Sequence, residues 1–380
     1  MIKLYYKDAY IHSFEANVLS VTDEGIVLDR TAFFPEGGGQ SSDIGFINNA
    51  KIYDVCEVDG IIYHKAENSS DISEGDIVLC HIDFHKRFSD MQNHSGEHIV
   101  SGIVHNKFGY DNVGFHLNDK EIALDFNGVL TDEDISFVES EANRAVWNNI
   151  EIKAFFPTEK EASSLNYRSK KDITSDLRLV DIEGIDICAC CAPHVRRTGE
   201  IGLIKVVGHE KHRGGTRVYI LCGERALKDY EMKQHENKKI GNMLKVKENE
   251  TSQAVEALLK KKSDVEYLLQ KAEISSAEQS ADRYEESDVI VAVDCYKGHA
   301  LTHFANRLSE KSRKLTAAFG NTGENSFQYM IISKDIDIKK LVKEMNAALN
   351  GRGGGKANTA QGSVNCSEEE IYHFFKNTAI

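Results

Sequence analysis

The sequence predicts an α+β multidomain chain. It reads as a small β-barrel over residues 1–88, an α/β domain over 89–225, a helical linker over 226–285 and a C-terminal α/β domain over 286–380. The first 88 residues are short alternating or β-branched runs separated by turns. His94-Ser95-Gly96-Glu97-His98 and Cys190-Cys191-Ala192-Pro193-His194 each set two metal-ligand side chains four residues apart. Residues 226–285 contain no proline and are rich in Lys, Glu, Gln and Ala.

In the first region, residues 16–21, 25–29, 61–64 and 76–82 carry the strand pattern, with Asp23-Glu24-Gly25 and Asp59-Gly60 as turns. Pro35-Glu36-Gly37-Gly38-Gly39-Gln40 interrupts it as a tight loop able to bring backbone close to a ligand. In the second region, Asp90 is the expected cap of a helix that runs through the first motif to about Lys107. Thr131, with Asp134 three residues on, approximates a capping box for a helix to about Asn148, and residues 201–207 and 217–222 read as strands. In the linker, Val255, Leu258, Val265, Leu269 and Ala272 follow a three-four spacing, which predicts a helical hairpin or a short coiled coil. In the last region, residues 289–293, 314–319 and 327–332 read as strands and 299–311 and 338–349 as helices. The second of these helices stops at Asn350-Gly351, and Ser367 with Glu370 opens a final one.

At 380 residues the chain is long enough for two to four domains of ~100–200 residues. Its 41% apolar and 28% charged composition is that of a globular protein. Met1 opens no basic, apolar leader, and no apolar run is long enough to span a bilayer, so a cytoplasmic protein with no membrane partner is expected. Eight cysteines lie scattered, with only Cys188, Cys190 and Cys191 clustered; this is a metal or catalytic pattern, not a disulfide framework. The net charge of −14 argues against non-specific nucleic-acid binding by the whole chain. Local basic groups run the other way: Arg196 and Arg197 follow His194, and the stretch from His209 to Arg217 carries Arg213 and two glycines. A basic rim on an acidic protein suggests a phosphate-bearing substrate.

On a helix, His94 and His98 share a face and reach one ion together. Pro193 places Cys190 and His194 on a turn. Three imidazoles and one thiolate make a tetrahedral zinc set, with Cys188 and Cys191 as competitors for the thiolate position. The first motif also satisfies H-x-x-E-H, the inverted zincin pattern, with Glu97 as general base. A peptidase of that kind leaves the Cys190/His194 pair and the C-terminal domain without a role.

The two motifs together resemble the zinc site of the editing domain shared by alanyl-tRNA synthetases and AlaX proteins. The stretch Arg30-Thr31-Ala32-Phe33-Phe34-Pro35-Glu36-Gly37-Gly38-Gly39-Gln40 resembles the glycine-rich loop of the preceding barrel, and Val195 to Gly202 resembles the segment after the cysteine motif. Cys191-Ala192-Pro193 departs from the small residues and threonine usual there. The C-terminal domain resembles that of the same synthetases, also found beside DHH phosphoesterases, through Asn350-Gly351-Arg352-Gly353-Gly354-Gly355-Lys356. The resemblance covers nearly the whole chain. It implies zinc held by His94, His98, Cys190 and His194 in a tRNA editing domain. It implies an amino-acid pocket near Thr31 and Gln40, with Glu97 and His116 as further catalytic candidates. It implies tRNA contacts at Arg196, Arg197, Arg213, Arg217, Arg352, Gly353, Gly354, Gly355 and Lys356. The implied activity is hydrolysis of the ester of tRNA(Ala) mischarged with serine or glycine. The helical linker leaves two arrangements open, packing within the chain or a homodimer through the linker or the C-terminal domain.

Gly351 to Ala357 is not an ATP-binding P-loop. The spacing is one residue short, Ala357 replaces the Mg²⁺-binding hydroxyl, and the loop follows a helix where a P-loop follows a strand. Exposed glycine N–H groups beside Arg352 and Lys356 instead suit a sugar-phosphate backbone. The chain begins in the editing half with no room upstream for an aminoacylation core, so no ATP chemistry is expected. Because four protein ligands fill a tetrahedral shell, a tRNA-binding protein with a structural zinc is the non-enzymatic alternative.

Overall fold

The computed structural model describes residues 1–117, 122–169 and 177–378 as a mixed α/β, multidomain chain with eight α-helices. It divides into two compact units, Met1–Glu236 and Asn237–Ile380. No helix among the described residues is long and apolar enough to cross a membrane.

The first unit begins with a barrel. Strands Ser13–Thr22, Gly25–Leu28, Ile61–Glu67, Ala50–Val58, Gly45–Ile47 and Ile77–Ile82 pair in that order and close on the first. Alternation decides which side chains face inward. Along Ile77–Ile82, Val78, Cys80 and Ile82 are buried, while Ile77 and Leu79 are exposed. Val18, Ile26, Leu28, Ile52, Val55 and Ile62 complete this core.

The rest of the unit is built round one helix, α1, Phe84–Phe108. It starts earlier than expected. Asp83 is the N-cap, its carboxylate accepting from the Lys86 N–H, and Gly109 closes the helix in the left-handed conformation. Asp90 lies inside the helix, held by Lys86 at 2.8 Å and Arg225 at 2.6 Å. Its apparent capping signal is therefore a tertiary ion pair. The first metal motif thus sits mid-helix, where backbone geometry is most rigid. Against α1 pack α2, Asp132–Trp147, capped by the Thr131/Asp134 box, and a sheet of strands Ile204–His212, Gly215–Cys222, Ile122–Phe126 and Asn112–Leu117. A three-stranded sheet, Ile152–Phe155, Leu179–Ile182 and Asp186–Ala189, carries the chain into the second motif. The approach of α1 to its neighbours is close: a Cβ on Gly102 would lie 2.5 Å from the Ile185 carbonyl oxygen.

The stretch expected as a linker forms two helices, Gly223–Leu244 and Thr251–Ala281. On the second, only Ala277 and Ala281 are buried, while Val255, Leu258, Val265 and Leu269 of the three-four row stay exposed. The second unit has a five-stranded sheet in the order Ser287–Asp294, Ser312–Gly323, Ser326–Ser333, Thr359–Val364 and Arg352–Gly355. The first two strands are parallel and joined by helix Gly298–Lys311. That helix packs with Ala277 and Ala281 in one cluster, whereas Lys339–Ala348 and Glu368–Asn377 pack in another. The glycine run expected as a loop is instead an edge strand, pairing antiparallel with Thr359–Val364. Side chains would not fit at Gly353 or Gly355, where a Cβ would stand 2.4 Å from the Gln361 and 2.0 Å from the Thr359 carbonyl oxygen.

Candidate metal centre

Polar residues crowd the middle of α1. Asp90, Asn93, His94, Ser95, Glu97, His98 and Ser101 are all buried. A polar helix interior this far from solvent demands partners for every group. The partners found for the histidines define a site. His94 Nδ1 donates to Gln40 Oε1 at 3.0 Å, His98 Nδ1 donates to Asp186 Oδ2 at 3.0 Å, and His194 Nδ1 pairs with the Ser95 hydroxyl at 3.0 Å. Each imidazole thus has one nitrogen tied outward, which leaves Nε2 turned inward. The inward nitrogens of His94 and His194 lie 3.5 and 3.4 Å from Cys190 Sγ, and Cys190 is also within hydrogen-bonding reach of His98. Ligand atoms of His94, His98, Cys190 and His194 all fall within 4.8 Å of one another, and all four side chains turn inward.

The electrostatics fit a cation. Burial opposes ionisation of Cys190, yet its interactions and hydrogen bonds with the adjoining His94 and His194 rings outweigh that and hold the thiol well below its ordinary range. Burial drives His194 down to about 3, so its imidazole is neutral and able to act as a ligand. Asp186 is itself fixed by Arg168, whose Nε and Nη2 donate to its two oxygens at 2.7 and 2.8 Å. A carboxylate that holds a ligand histidine and is itself held is the usual outer support of a metal site. A second grouping, His98, Asp186 and Cys188, also brings ligand atoms together. Asp186 is already engaged by Arg168 and His98 Nδ1, and burial pushes the Cys188 thiol up, so the four-residue set is the better fit. Of the three candidate thiolates, Cys190 is the one that faces the histidines; Cys191 Sγ lies instead beside the glycine loop, 3.2 Å from where a Gly38 Cβ would be.

A cavity of about 350 Å³ opens at the cluster, lined by Gly38, Gly39, Glu97, Phe115 and Arg178 together with His94, His98 and Cys190. A larger one of about 650 Å³, around Asn106, Tyr167 and Arg168, shares Val113, Ser169 and Cys188 with it. The smaller cavity is the one that adjoins the His/Cys cluster. The glycine loop forms one wall by coming very close: at Gly39, with φ +84°, a Cβ would meet the Phe115 ring at 2.3 Å. Glu97 accepts from Ser101 Oγ at 2.7 Å and Asn112 Nδ2 at 2.6 Å through Oε1, and its Oε2 lies 3.8 Å from His98 Nε2.

The other expected site residues are placed as follows. Gln40 is buried and holds His94. Thr31 is buried in the barrel, where its hydroxyl meets His64 Nε2 at 2.8 Å and accepts from the Phe33 N–H. His116 is exposed on its strand, and its neighbour Phe115 faces the cavity, 5.0 Å from the His94 ring, because successive strand residues point to opposite faces. Arg196 pairs with Asp8 and lies over Tyr10, Arg197 donates to the Asn149 carbonyl, and Arg217 is bidentate to Asp125. Arg213 is exposed at a hairpin turn with φ 46°. Arg352 to Lys356 are exposed at the edge of the second unit's sheet.

Sequence reasoning missed Ser95, Asp186, Arg168 and Arg178. Arg178 is 6% exposed, and its Nη1 donates to the carbonyls of Cys190 and Ala192, at 2.9 Å each. Burial would lower Arg168, but its bond to Asp186 carries it above the ordinary arginine value; Arg178, without such a bond, is lowered by burial. The nearest sequence signal was Asp186, an acid four residues before Cys190.

Comparison with known proteins relates the chain to tRNA synthetases and an editing protein. Residues 5–86 match the family of class II (A) tRNA synthetases, 177–219 the second additional domain of threonyl and alanyl tRNA synthetases, and 286–378 the DHHA1 domain. Alanyl-tRNA editing protein AlaX-L of Pyrococcus horikoshii is 26% identical over 97% of this chain and 96% of its own length. Alanine–tRNA ligases of Ignicoccus hospitalis and Pyrococcus abyssi are each 28% identical over 97% and 95% of this chain, which spans only 41% and 42% of the ligases. The three matched regions follow one another along the chain, which makes it similar over nearly its whole length to these ligases and to the editing protein. More particularly, it is a homologue of the long-form AlaX alanyl-tRNA editing proteins.

Proposed function

We propose that this protein is an aminoacyl-tRNA deacylase that uses zinc to hydrolyse the ester of tRNA(Ala) carrying serine, with glycine as the second candidate. The observation that carries this reading is the convergence of three imidazole nitrogens and one thiolate inside a cavity, each imidazole held from behind. Zinc bound there would supply Lewis-acid polarisation of the ester carbonyl and a more acidic water. Gln40, Asp186 and Ser95 keep the ligand rings from turning. Glu97, with Oε1 anchored by Ser101 and Asn112, stands at the cavity wall to take a proton from water and return it to the leaving ribose oxygen. Phe115 and the glycine loop narrow the cavity and exclude bulk water. The Thr31 hydroxyl, already shared with His64, sets the barrel wall behind the loop.

An activated ester asks for little beyond positioning and charge stabilisation, which a rigid buried site supplies. A second checkpoint has a physical reason: an alanine pocket cannot exclude serine or glycine well by sterics alone, whereas a site that hydrogen-bonds a hydroxyl discriminates strongly. The edge strand Arg352–Gly355 with Lys356 is the proposed backbone contact for the tRNA. The full four-ligand shell favours a second reading, a structural zinc in a tRNA-binding protein. Incubating the purified protein with Ser-tRNA(Ala), Gly-tRNA(Ala) and Ala-tRNA(Ala) separates the two. Release of serine faster than alanine is expected; zinc-loaded protein that releases no amino acid supports the structural reading. Release of alanine as fast as serine contradicts proofreading.

A further inference from the structure

Two arginines are buried among the described residues, Arg87 and Arg178. Arg87 gives its Nε and Nη2 edge to Asp43. Arg168 gives the same edge to Asp186, and Arg217 gives it to Asp125. This side-on fork is the face of a guanidinium that matches two oxygens of one anion. Arg178 departs from the pattern. Both of its hydrogen bonds leave from Nη1, to the carbonyls of Cys190 and Ala192, and its guanidinium carbon lies 5.3 Å from the centre of the Tyr6 ring. Its Nε and Nη2 meet no acceptor among the described residues. Arg178 lines the cavity together with His94, His98 and Cys190. A buried guanidinium that no carboxylate engages is costly, and part of that cost is recovered when an anion arrives.

Resting on the deacylase reading, we propose that the open edge of Arg178 grips the phosphodiester on the 5′ side of the nucleoside that carries the ester. The chemistry of that substrate end selects this group. The amino acid brings a cationic ammonium, the ester and the base are neutral, and the phosphate is the one anion, a single ribose away from the bond to be cut. Because Nη1 is anchored on the backbone on either side of Cys191, the same side chain ties the position of the phosphate to the loop that carries the metal thiolate.

The test uses full-length, zinc-loaded protein and two non-hydrolysable probes: 3′-(L-seryl)amino-3′-deoxyadenosine, with and without a 5′-phosphate. Calorimetry on the wild-type protein is expected to show the phosphorylated probe binding ~10–100-fold more tightly, the range of a charge-assisted hydrogen-bond pair. Arg178→Gln should abolish that preference while leaving the unphosphorylated probe within about twofold. Arg178→Lys, which keeps the charge but not the fork, should recover only part of it. Equal binding of the two probes by wild type overturns the proposal whether or not the variants fold. Equal loss on both probes in Arg178→Gln overturns it as well, placing Arg178 at the amino acid or in the loop's architecture. If neither probe binds and Ser-tRNA(Ala) survives, the deacylase reading itself has failed.

Discussion

His64 in the barrel and the three histidines at α1 are equally buried, yet they are opposites in chemistry. His64 donates from Nδ1 to the Ile26 carbonyl at 2.9 Å and receives the Thr31 hydroxyl on Nε2 at 2.8 Å. Both nitrogens are spoken for, and burial pushes its pKa down to about 4, so the ring is a neutral strut between strands. His94, His98 and His194 each have an outward partner for Nδ1 alone, and their remaining nitrogens meet at Cys190. A saturated buried histidine is architecture; buried histidines with the same atom left over and aimed at one point are a site. The arginines divide in the same way, Arg87 saturated by Asp43 and Arg178 with an edge to spare.

The largest effect should come from breaking the convergent set. Cys190→Ala is expected to abolish stoichiometric zinc, measured by plasma mass spectrometry, and to cut deacylation by more than ~100-fold, beyond what losing an outer partner costs. A peptidase of the H-x-x-E-H type would keep both.

The saturated histidine predicts a different phenotype. Its folded pKa of about 4 lies below the ~6.5 of an unfolded histidine. Between these values the unfolded chain binds a proton that the folded one does not, so stability rises with pH across that window and falls on acidification, by ~3 kcal/mol in all. Denaturant titrations at pH 4.5 and 7 should show a smaller difference in His64→Gln than in wild type, with zinc content unchanged. An identical pH dependence in the two proteins would remove the distinction drawn between the two kinds of histidine.

Asp186→Asn tests whether the outward partners matter. It should weaken zinc binding ~10–100-fold in chelator competition while leaving the metal:protein ratio at saturation intact. The smallest change is expected far from the site. Arg352→Ala with Lys356→Ala should leave zinc and the hydrolysis of a minimal aminoacyl-adenosine untouched. It should lower tRNA affinity and reduce the slope of log affinity against log salt by ~1–2, one for each phosphate no longer neutralised.

Much of the His/Cys cluster was legible because helical spacing is local: His94 and His98 share a face whatever surrounds them, and the Thr131 and Ser367 capping boxes were likewise short-range patterns that formed as read. What escaped depends on distance along the chain. Asp90 looks like a cap until Lys86 and Arg225 claim it. Asp186, Ser95 and Arg178 gain their roles only when the three-stranded sheet and the Cys190 loop fold against α1. The glycine run at Gly353 to Gly355 read as a loop because it has no side chains to alternate, yet that lack lets it pair as an edge strand.

The central claim is that the converging nitrogens and thiolate hold a metal. X-ray absorption at the zinc edge of the purified protein tests it most directly. A shell of three nitrogen ligands at ~2.0–2.1 Å and one sulfur at ~2.3 Å is expected, with the sulfur lost in Cys190→Ser. A shell of nitrogen and oxygen alone in the wild-type protein would contradict the account.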